Sequence, residues 1–197
     1  ADQGNPYAQT NLGRMYAQGQ GVAQDRVAAH LWLSLAAAQV PGAIEARDAL
    51  AKEMTADQIA QAQSDLGAAY AEGRGIPQDD TEAARWFRLA ADRGLPRAQA
   101  NLGVAYAEGR GVPQNYAEAA RWYQLAADQG DIVAQLNLGV SYATGQGVQQ
   151  DNVTAYMWFS LAAPRSSEAA QNRDSVATEM TPEQIAEAQS LAREWKP

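Results

Sequence analysis

The sequence predicts an all-α fold, a right-handed α/α solenoid built from helix–turn–helix repeats. Trp86, Trp122 and Trp158 recur at a constant spacing of 36 residues. A fixed period of this size is typical of a stacked array in which each repeat is one helix pair. The same shift superposes three further sets of residues: Gly67, Gly103 and Gly139; Tyr70, Tyr106 and Tyr142; and the glycine pairs Gly73/Gly75, Gly109/Gly111 and Gly145/Gly147.

The first helix of each repeat is predicted from apolar residues at helical spacing. In the third copy Ala98, Leu102 and Tyr106 recur every four residues and define one face. Gly103 lies beside Leu102, and its missing side chain allows a neighbouring helix to approach closely. The helix is expected to end at the Gly-x-Gly segment, because glycine adopts the left-handed conformation of a C-cap without strain.

The second helix of each repeat is predicted to begin at an aspartate or an asparagine. Asp79 and Asn115 occupy the N-cap position, where a short side chain accepts hydrogen bonds from free backbone N–H groups. Glu82 and Glu118, three residues later, predict a capping box at each site. The buried stripe is predicted from the apolar spacing as Ala83, Trp86, Leu89 and Ala90, and in the next repeat as Ala119, Trp122, Leu125 and Ala126.

Two inserts of 18 residues interrupt the period, and they are related to each other. The first copy of the repeat, which contains Trp32, lies 54 residues before the next copy instead of 36. Residues 32–63 resemble residues 158–189 at a shift of 126, with an Arg-Asp pair and a Glu-Met-Thr string in each. We expect each insert to form one short helix. Thr55 and Thr181 are predicted to cap the helix that follows, with a glutamine at the capping-box position.

The whole chain, 1–197, is predicted to be one repeat domain. Arg193 stands where the earlier repeats have the closely packed glycine, so no further repeat is expected after it. Residues 1–4 match residues 127–130, the end of a second helix, which suggests a fragment of a longer array or a processed product. The predicted boundaries are 5–38, 56–92, 96–128 and 132–163 for the repeats, about 42–54 and 166–180 for the inserted helices, and about 181–195 for a C-terminal cap helix.

The repeated string AQANLGVAYAEGRGVPQNYAEAARWYQLAADQG (98–130) resembles the Sel-one-like repeat (SLR) family, relatives of the tetratricopeptide repeats. The resemblance covers nearly the whole chain, because its Leu-Gly, Tyr, Gly-x-Gly, Ala-x-x-Trp and Leu-Ala-Ala elements recur in order four times. The segment MTPEQIAEAQ is similar to terminal segments of bacterial members. The resemblance implies a tetratricopeptide-like solenoid and an adaptor or scaffold role. Some cysteine-rich bacterial members are linked to β-lactam binding, but this chain has no cysteine.

Composition and charge argue against two classes of partner. The formal net charge of −8 and the sequence pI near 4.6 differ from the clustered Lys and Arg that nucleic acids and anionic membranes select. No apolar run approaches the roughly 20 residues that span a bilayer, so we expect a soluble protein without membrane insertion. The absence of cysteine excludes disulfides and thiolate metal ligands. It leaves the compartment open between cytoplasm, periplasm and secretion.

The sequence contains no residue pattern typical of catalysis, so we predict no enzymatic activity, no cofactor and no metal site. His30 is the only histidine, and a half-buried helix position is expected for it. Ser34 and Ser160 lie outside the Ser-x-x-Lys and Gly-x-Ser-x-Gly contexts of serine nucleophiles. The glycine loops lack the lysine of a phosphate-binding loop. The tryptophans recur once per repeat, which predicts a shared packing role in the core.

The candidate binding surface is predicted from helix geometry. In a helix-pair solenoid the first helices line the concave surface, and positions two before and two after the repeat leucine point away from the packing stripe. An apolar strip near the C-terminal end would attract a partner. An equal alternative is that an insert helix or the cap helix of the chain itself covers this strip. The candidate residues are Tyr7, Thr10, Arg14, Ser64, Ala68, Arg97, Ala100, Val104, Val133, Leu136 and Val140.

We therefore expect a monomeric adaptor that binds a protein or peptide. A peptide would be held by apolar anchors near Val104 and Val140, with polar guidance from Arg14. Two other functions stay open. One is a purely structural segment of a larger envelope or secretion-related protein, and the other is a hydrolase acting on β-lactams or peptidoglycan.

Overall fold

The computed structural model describes residues 4–197 as a succession of α-helices joined by short turns, and this range contains no β-strand. The predicted match of residues 1–4 with residues 127–130 therefore falls mostly outside the described residues. The helices are α1 (Pro6–Gln18), α2 (Arg26–Ala36), α3 (Pro41–Ala51), α4 (Ala56–Glu72), α5 (Asp80–Ala91), α6 (Pro96–Glu108), α7 (Tyr116–Ala127), α8 (Ile132–Thr144), α9 (Asn152–Ala162), α10 (Ser167–Ala177) and α11 (Pro182–Glu194).

Contacts between the helices divide the chain into two compact units, Ala1–Ala98 and Gln99–Pro197. In the first unit α1 packs on α2, α4 packs on α5, and α2 also contacts α4. In the second unit α8 packs on α9, α7 contacts α8, and α9 contacts α11. Each unit is a stack of helix pairs, and the predicted fold class, a right-handed α/α solenoid, is confirmed.

Glycines in the first helices allow the two helices of a repeat to approach closely. A Cβ added at Gly67 would lie 2.7 Å from Cδ1 of Phe87, and one added at Gly139 would lie 2.6 Å from Cδ1 of Phe159. Both distances are well inside the optimal separation of about 3.5–4.0 Å between carbon atoms. An aromatic ring thus occupies the space next to each glycine. The predicted role of these glycines in close helix packing is confirmed.

The inward face of the second helices differs from the predicted stripe. Phe87 and Tyr123 are buried, whereas Leu89 and Leu125 are 37% and 40% exposed. Phe87 follows the buried Ala83 by four residues and therefore shares its face of α5, while Leu89, two residues further on, points away. The predicted burial of the two leucines is wrong.

The repeat tryptophans do not share one degree of burial. Trp122 and Trp158 are each 4% exposed, as expected of core residues. Trp32 and Trp86 are only half-buried, so the prediction of a uniform core role is wrong. The Cζ atom of Arg85 lies 5.2 Å from the centroid of the Trp86 ring. A guanidinium therefore covers that ring in a cation–π contact.

The predicted helix caps are present. The side chains of Asp79 and Asn115 each accept hydrogen bonds from two backbone N–H groups at the start of α5 and α7. Thr55 and Thr181 form the predicted capping boxes of α4 and α11. Gly73 ends α4 in the left-handed conformation, with φ of 68°. These local signals set the helix boundaries that the sequence predicts.

The capping boxes predicted at Glu82 and Glu118 do not form. Oε2 of Glu82 instead accepts a hydrogen bond from Nη1 of Arg85 at 2.8 Å. Oε2 of Glu118 accepts one from Nη2 of Arg121 at 3.4 Å. An arginine three residues later on the same helix face competes for each carboxylate, and this pairing replaces the bond back to the N-cap.

The inserts form α3 and α10, and the two regions share their internal contacts. Arg47 donates two hydrogen bonds to Asp48 at 2.9 and 2.7 Å, and Arg173 donates two to Asp174 at the same distances. Helix α3 contacts α2, and α10 contacts α9. The 126-residue duplication therefore preserves the geometry of the insert as well as its sequence.

Candidate partner-binding surfaces

The structure buries four of the eleven residues predicted to meet a partner. Thr10, Ser64, Ala68 and Ala100 are between 1% and 6% exposed. First helices are packed on more than one side, as α4 is by both α2 and α5. A helical wheel with a single packing face does not anticipate the second neighbour. The predicted accessibility of these four side chains is wrong, and a partner cannot touch them in this conformation.

Four of the predicted residues are exposed. In the first unit these are Tyr7, which is 70% exposed, Arg14 and Arg97. In the second unit Val133 is 52% exposed. Tyr7 and Val133 occupy the same repeat position at the shift of 126. Each of these two apolar surfaces would be stabilised by burial against another molecule.

The remaining predicted residues, Val104, Leu136 and Val140, are half-buried. Val104 packs against the buried cluster around Trp158. Leu136 and Val140 pack against a second cluster, which includes Val176 of the insert helix α10. The insert helix α10 thus partly covers the predicted apolar strip of the second unit. This agrees with the alternative prediction, in which an insert helix and not a partner occupies the strip.

A cavity of about 660 Å³ lies beside Trp32 in the first unit. Its volume falls within the range of roughly 300–1,000 Å³ that is usual for ligand sites. Helices α2 and α4 supply an apolar wall, and charged side chains stand at its rim. The lining residues are Leu31, Trp32, Leu35, Asp65, Ala69, Gly73, Arg74, Gly75 and Arg97.

Two arginines and one aspartate set the charge of the cavity. Nη1 of Arg97 lies 3.6 Å from Oδ1 of Asp65, which is too long for a good hydrogen bond. The same oxygen accepts a hydrogen bond from Nε2 of Gln61 at 3.0 Å. Nε of Arg74 lies 2.6 Å from Oε2 of Glu72. A guanidinium has five N–H donors, so Arg97 can bind a further anionic group while it stays near Asp65.

Sequence reasoning missed this cavity because it assigned every repeat tryptophan to the core. The structure shows Trp32 half-buried and facing the open space. A usable signal was present in the 126-residue shift, which aligns Ala69 with Trp195. A small residue therefore stands beside Trp32 where the duplicated copy has a large one.

His30 is more deeply buried than the sequence predicted, with 7% of its surface exposed. Its Nδ1 lies 3.4 Å from Oγ of Ser34, one turn later on α2. Desolvation by burial lowers the pKa of His30 to about 4; the charge of Arg47 acts in the same direction and that of Asp48 opposes it. The imidazole is therefore neutral at pH 7 and acts as a packed core group.

We expect His30 to make the protein less stable as the pH falls from 6.5 to about 4. The unfolded histidine titrates near 6.5 and the folded one near 4, so the unfolded state binds more protons in this window. The resulting loss is up to about 3 kcal/mol at pH 4. An NMR titration of the single imidazole measures this pKa directly, and a midpoint above 6 would contradict the burial. His30→Gln should flatten this part of the stability profile.

The serines in the two matching Trp-x-Ser strings make contacts within their own helices. Oγ of Ser160 donates a hydrogen bond to the carbonyl oxygen of Tyr156 at 2.8 Å. Among residues 4–197, no group of three or more His, Asp or Glu side chains is placed to hold a metal ion. None of the helices in that range is both long enough and apolar enough to cross a membrane.

Comparison with known proteins relates the chain to one family. The model of the Sel1 repeat matches residues 6–40, 60–95, 96–131 and 132–163. A search of curated proteins finds no significant match.

Two solved structures are similar over nearly the whole chain. The crystal structure of c5321, a protective antigen present in uropathogenic Escherichia coli strains displaying an SLR fold, has a TM-score of 0.67 and 31% identity, and the match covers 98% of this chain and 46% of that chain. A Sel1 repeat protein from Oxalobacter formigenes has a TM-score of 0.62 and 28% identity, over 99% of this chain and 75% of that chain. This chain thus spans less than half of the E. coli protein.

Proposed function

Because this chain belongs to the Sel1 repeat family, we propose that it is an adaptor whose exposed first-helix surface holds a peptide segment of another protein. The predicted resemblance to Sel-one-like repeats is confirmed by the four matched segments. Proteins of this family generally act as scaffolds for protein interactions, and the fold is typically non-catalytic. We expect the adaptor to act as a monomer.

The exposure of Tyr7 is the observation that carries this proposal. At 70% exposed, Tyr7 presents an aromatic ring to solvent on α1, with Arg14 exposed further along the same helix. Tyr and Arg are the residue types that most often dominate binding energy at protein interfaces, whereas Leu is under-represented there. Leu89 and Leu125, exposed on the second helices, are for that reason weaker candidates. Val133 is exposed at the equivalent position of the second unit and offers a separate apolar contact there.

Affinity capture with matched variants tests the proposal. We expect the wild-type chain to retain at least one protein from a native lysate, and a Tyr7→Asp, Val133→Asp double variant to retain about tenfold less of it. Both positions are exposed, so the double variant should fold as the wild type does by circular dichroism. Binding of the retained protein is then measured with the purified pair by calorimetry.

Leu89→Asp with Leu125→Asp is the matched control, because it adds the same charges at exposed positions on second helices. The control should retain the partner as well as the wild type does. Equal retention by both double variants, or loss from both, would contradict a first-helix surface. The capture of no protein at all would favour the purely structural role.

A further inference from the structure

We propose that the cavity beside Trp32 binds the indole side chain of a tryptophan within an acidic peptide segment of a partner. The inference rests on the proposed adaptor function and specifies what the partner presents to the first unit. It comes from the internal duplication, because in the second unit Trp195 of the chain itself pairs with Trp158, the counterpart of Trp32.

The second unit shows how an indole ring sits at this place. Trp158 of α9 corresponds to Trp32 of α2 at the shift of 126, and Trp195 after α11 corresponds to Ala69 of α4. The ring centroids of Trp158 and Trp195 are 6.3 Å apart, with an angle of 72° between the planes. This edge-to-face geometry is a favourable aromatic pair. Helix α9 contacts α11 as α2 contacts α4. Trp195 follows the end of α11 in extended backbone, whereas Ala69 lies within α4.

The first unit leaves the corresponding space open. Ala69 contributes only a methyl group, and the cavity extends from it to Trp32 and Leu35. Trp158 is 4% exposed beneath its partner ring, whereas Trp32 is half-buried. The loop around Gly75 closes one side of the space. Its carbonyl oxygen is held by a hydrogen bond from Nε2 of Gln9 at 2.8 Å, so this wall is preformed.

The second and third repeats cover their tryptophans in another way, which is also missing at Trp32. In the third repeat Arg121 lies over the ring of Trp122, with Cζ 4.4 Å from the centroid. The residue before Trp32 is Leu31 instead of arginine. Trp32 thus stands beside neither an arginine from its own helix nor a counterpart of Trp195. An aromatic side chain from a partner supplies the missing cover.

The rim of the cavity favours an acidic segment around the inserted ring. Its lining residues include two arginines, Arg74 and Arg97, and one carboxylate, Asp65. Arg74 is already paired with Glu72 at 2.6 Å, so the charge argument rests on Arg97. Arg97 is held only by the 3.6 Å ion pair to Asp65, and 59% of its side chain is exposed. Its guanidinium can therefore stack on an indole or bind a neighbouring carboxylate. The second unit has Leu191 in the place of Asp65, so the charged rim belongs to the first unit.

A peptide titration of the ¹⁵N-labelled chain tests the site directly. The probes are acetyl-Glu-Glu-Trp-Glu-Glu-amide, the same peptide with Ala in place of Trp, and the same peptide with Lys in place of Glu. The chain has five tryptophans, and Trp32→Phe identifies the indole N–H signal of Trp32. We expect the Glu-Trp peptide to shift this signal and to leave that of Trp158 unmoved. The Ala peptide should not bind, and the Lys peptide should bind at least about threefold more weakly.

Two variants and one control connect the binding to the cavity. Ala69→Trp places an indole at the cavity wall, at the position that matches Trp195, and should weaken binding of the Glu-Trp peptide by about tenfold or more. Ala56→Trp adds the same side chain at an exposed position of α4 and should bind as the wild type does. Arg97→Glu, also at an exposed position, should lose the preference for the acidic peptide. Because this variant leaves the core unchanged, the test does not depend on the folding of Ala69→Trp.

Three results would overturn the inference: no shift of the Trp32 signal at millimolar peptide, equal binding of the Trp and Ala peptides, or unchanged binding by a folded Ala69→Trp. Equal affinity for the Glu and Lys peptides would overturn the inference that the partner segment is acidic. The adaptor function is judged separately by the variants of Tyr7 and Val133. If a captured partner requires Tyr7 and Val133 but binds the Ala69→Trp variant as well as the wild type, the adaptor function is supported and the proposed role of the cavity is wrong.

Discussion

Replacing Gly147 with alanine is expected to lower the free energy of unfolding by about 2–5 kcal/mol. Gly147 has a φ of 79°, in the left-handed region where a side chain costs roughly 1–2 kcal/mol. A Cβ there would also overlap the backbone carbonyl group of Tyr116, the first residue of α7. Backbone atoms cannot rotate away as a side chain can. The loop and α7 must therefore separate, which adds about 1–3 kcal/mol.

Gly145→Ala is the matched control for this substitution. Gly145 has a similar φ of 72°, but the nearest atom to an added Cβ is Cβ of Gln150 at 3.4 Å, an ordinary contact. Its expected loss is the conformational cost alone, about 1–2 kcal/mol. Urea denaturation followed by circular dichroism measures both variants. Equal losses would show that the close approach of Gly147 to α7 contributes nothing to stability.

Phe159→Ala is expected to cost about 3–5 kcal/mol of unfolding free energy. Phe159 is 2% exposed in the cluster that joins α9 to Val176 of α10 and Ala188 of α11. Removing the ring leaves a void that the surrounding helices fill only in part, so the loss exceeds the transfer free energy of the side chain. Urea denaturation gives the value. Leu125→Ala, at a position 40% exposed, should change it by no more than about 0.5 kcal/mol.

A double-mutant cycle with Gly139 locates the contact that Phe159 makes. A Cβ at Gly139 would lie 2.6 Å from the Phe159 ring, so Gly139→Ala should destabilise the wild type. In the Phe159→Ala background the added methyl enters the void and should be tolerated. We expect a coupling of about 0.5–3 kcal/mol between the two positions. Strict additivity would mean that the glycine and the ring do not meet.

The parts of the fold that follow from local chemistry could be predicted from the sequence. N-caps such as Asp79, the capping boxes at Thr55 and Thr181 and the glycine ends of the helices depend on residues within one turn, and all of them appear where expected. The wrong prediction of a capping box at Glu82 also has a local cause, because Arg85, three residues later, donates a hydrogen bond to the carboxylate of Glu82. The capping-box motif relates only the N-cap residue and the residue three positions later, so it does not reveal a competing arginine.

The candidate surface could be predicted only in part. Helical geometry identified Tyr7 and Val133, which are exposed. It also selected Ser64 and Ala100, which are buried. Helix α4, which carries Ser64, is packed by both α2 and α5, and Ala100 lies in a cluster with residues of α7 and α8. The cavity beside Trp32 lies where the two copies of the duplicated segment differ, with Ala69 in one and Trp195 in the other. A prediction based on the residues that the copies share does not find it.

The sequence by itself determined the repeat, the helix boundaries, the family and the close glycine packing, because each depends on a periodic pattern or on neighbours along the chain. Only the tertiary structure decided which faces of these helices remain open. Exposure depends on the helices that pack from outside the repeat: an insert helix covers Val140, and Trp195 covers Trp158. Within residues 4–197 no ring is paired with Trp32 as Trp195 is with Trp158, because the counterpart position holds Ala69, and the cavity of the first unit stays open.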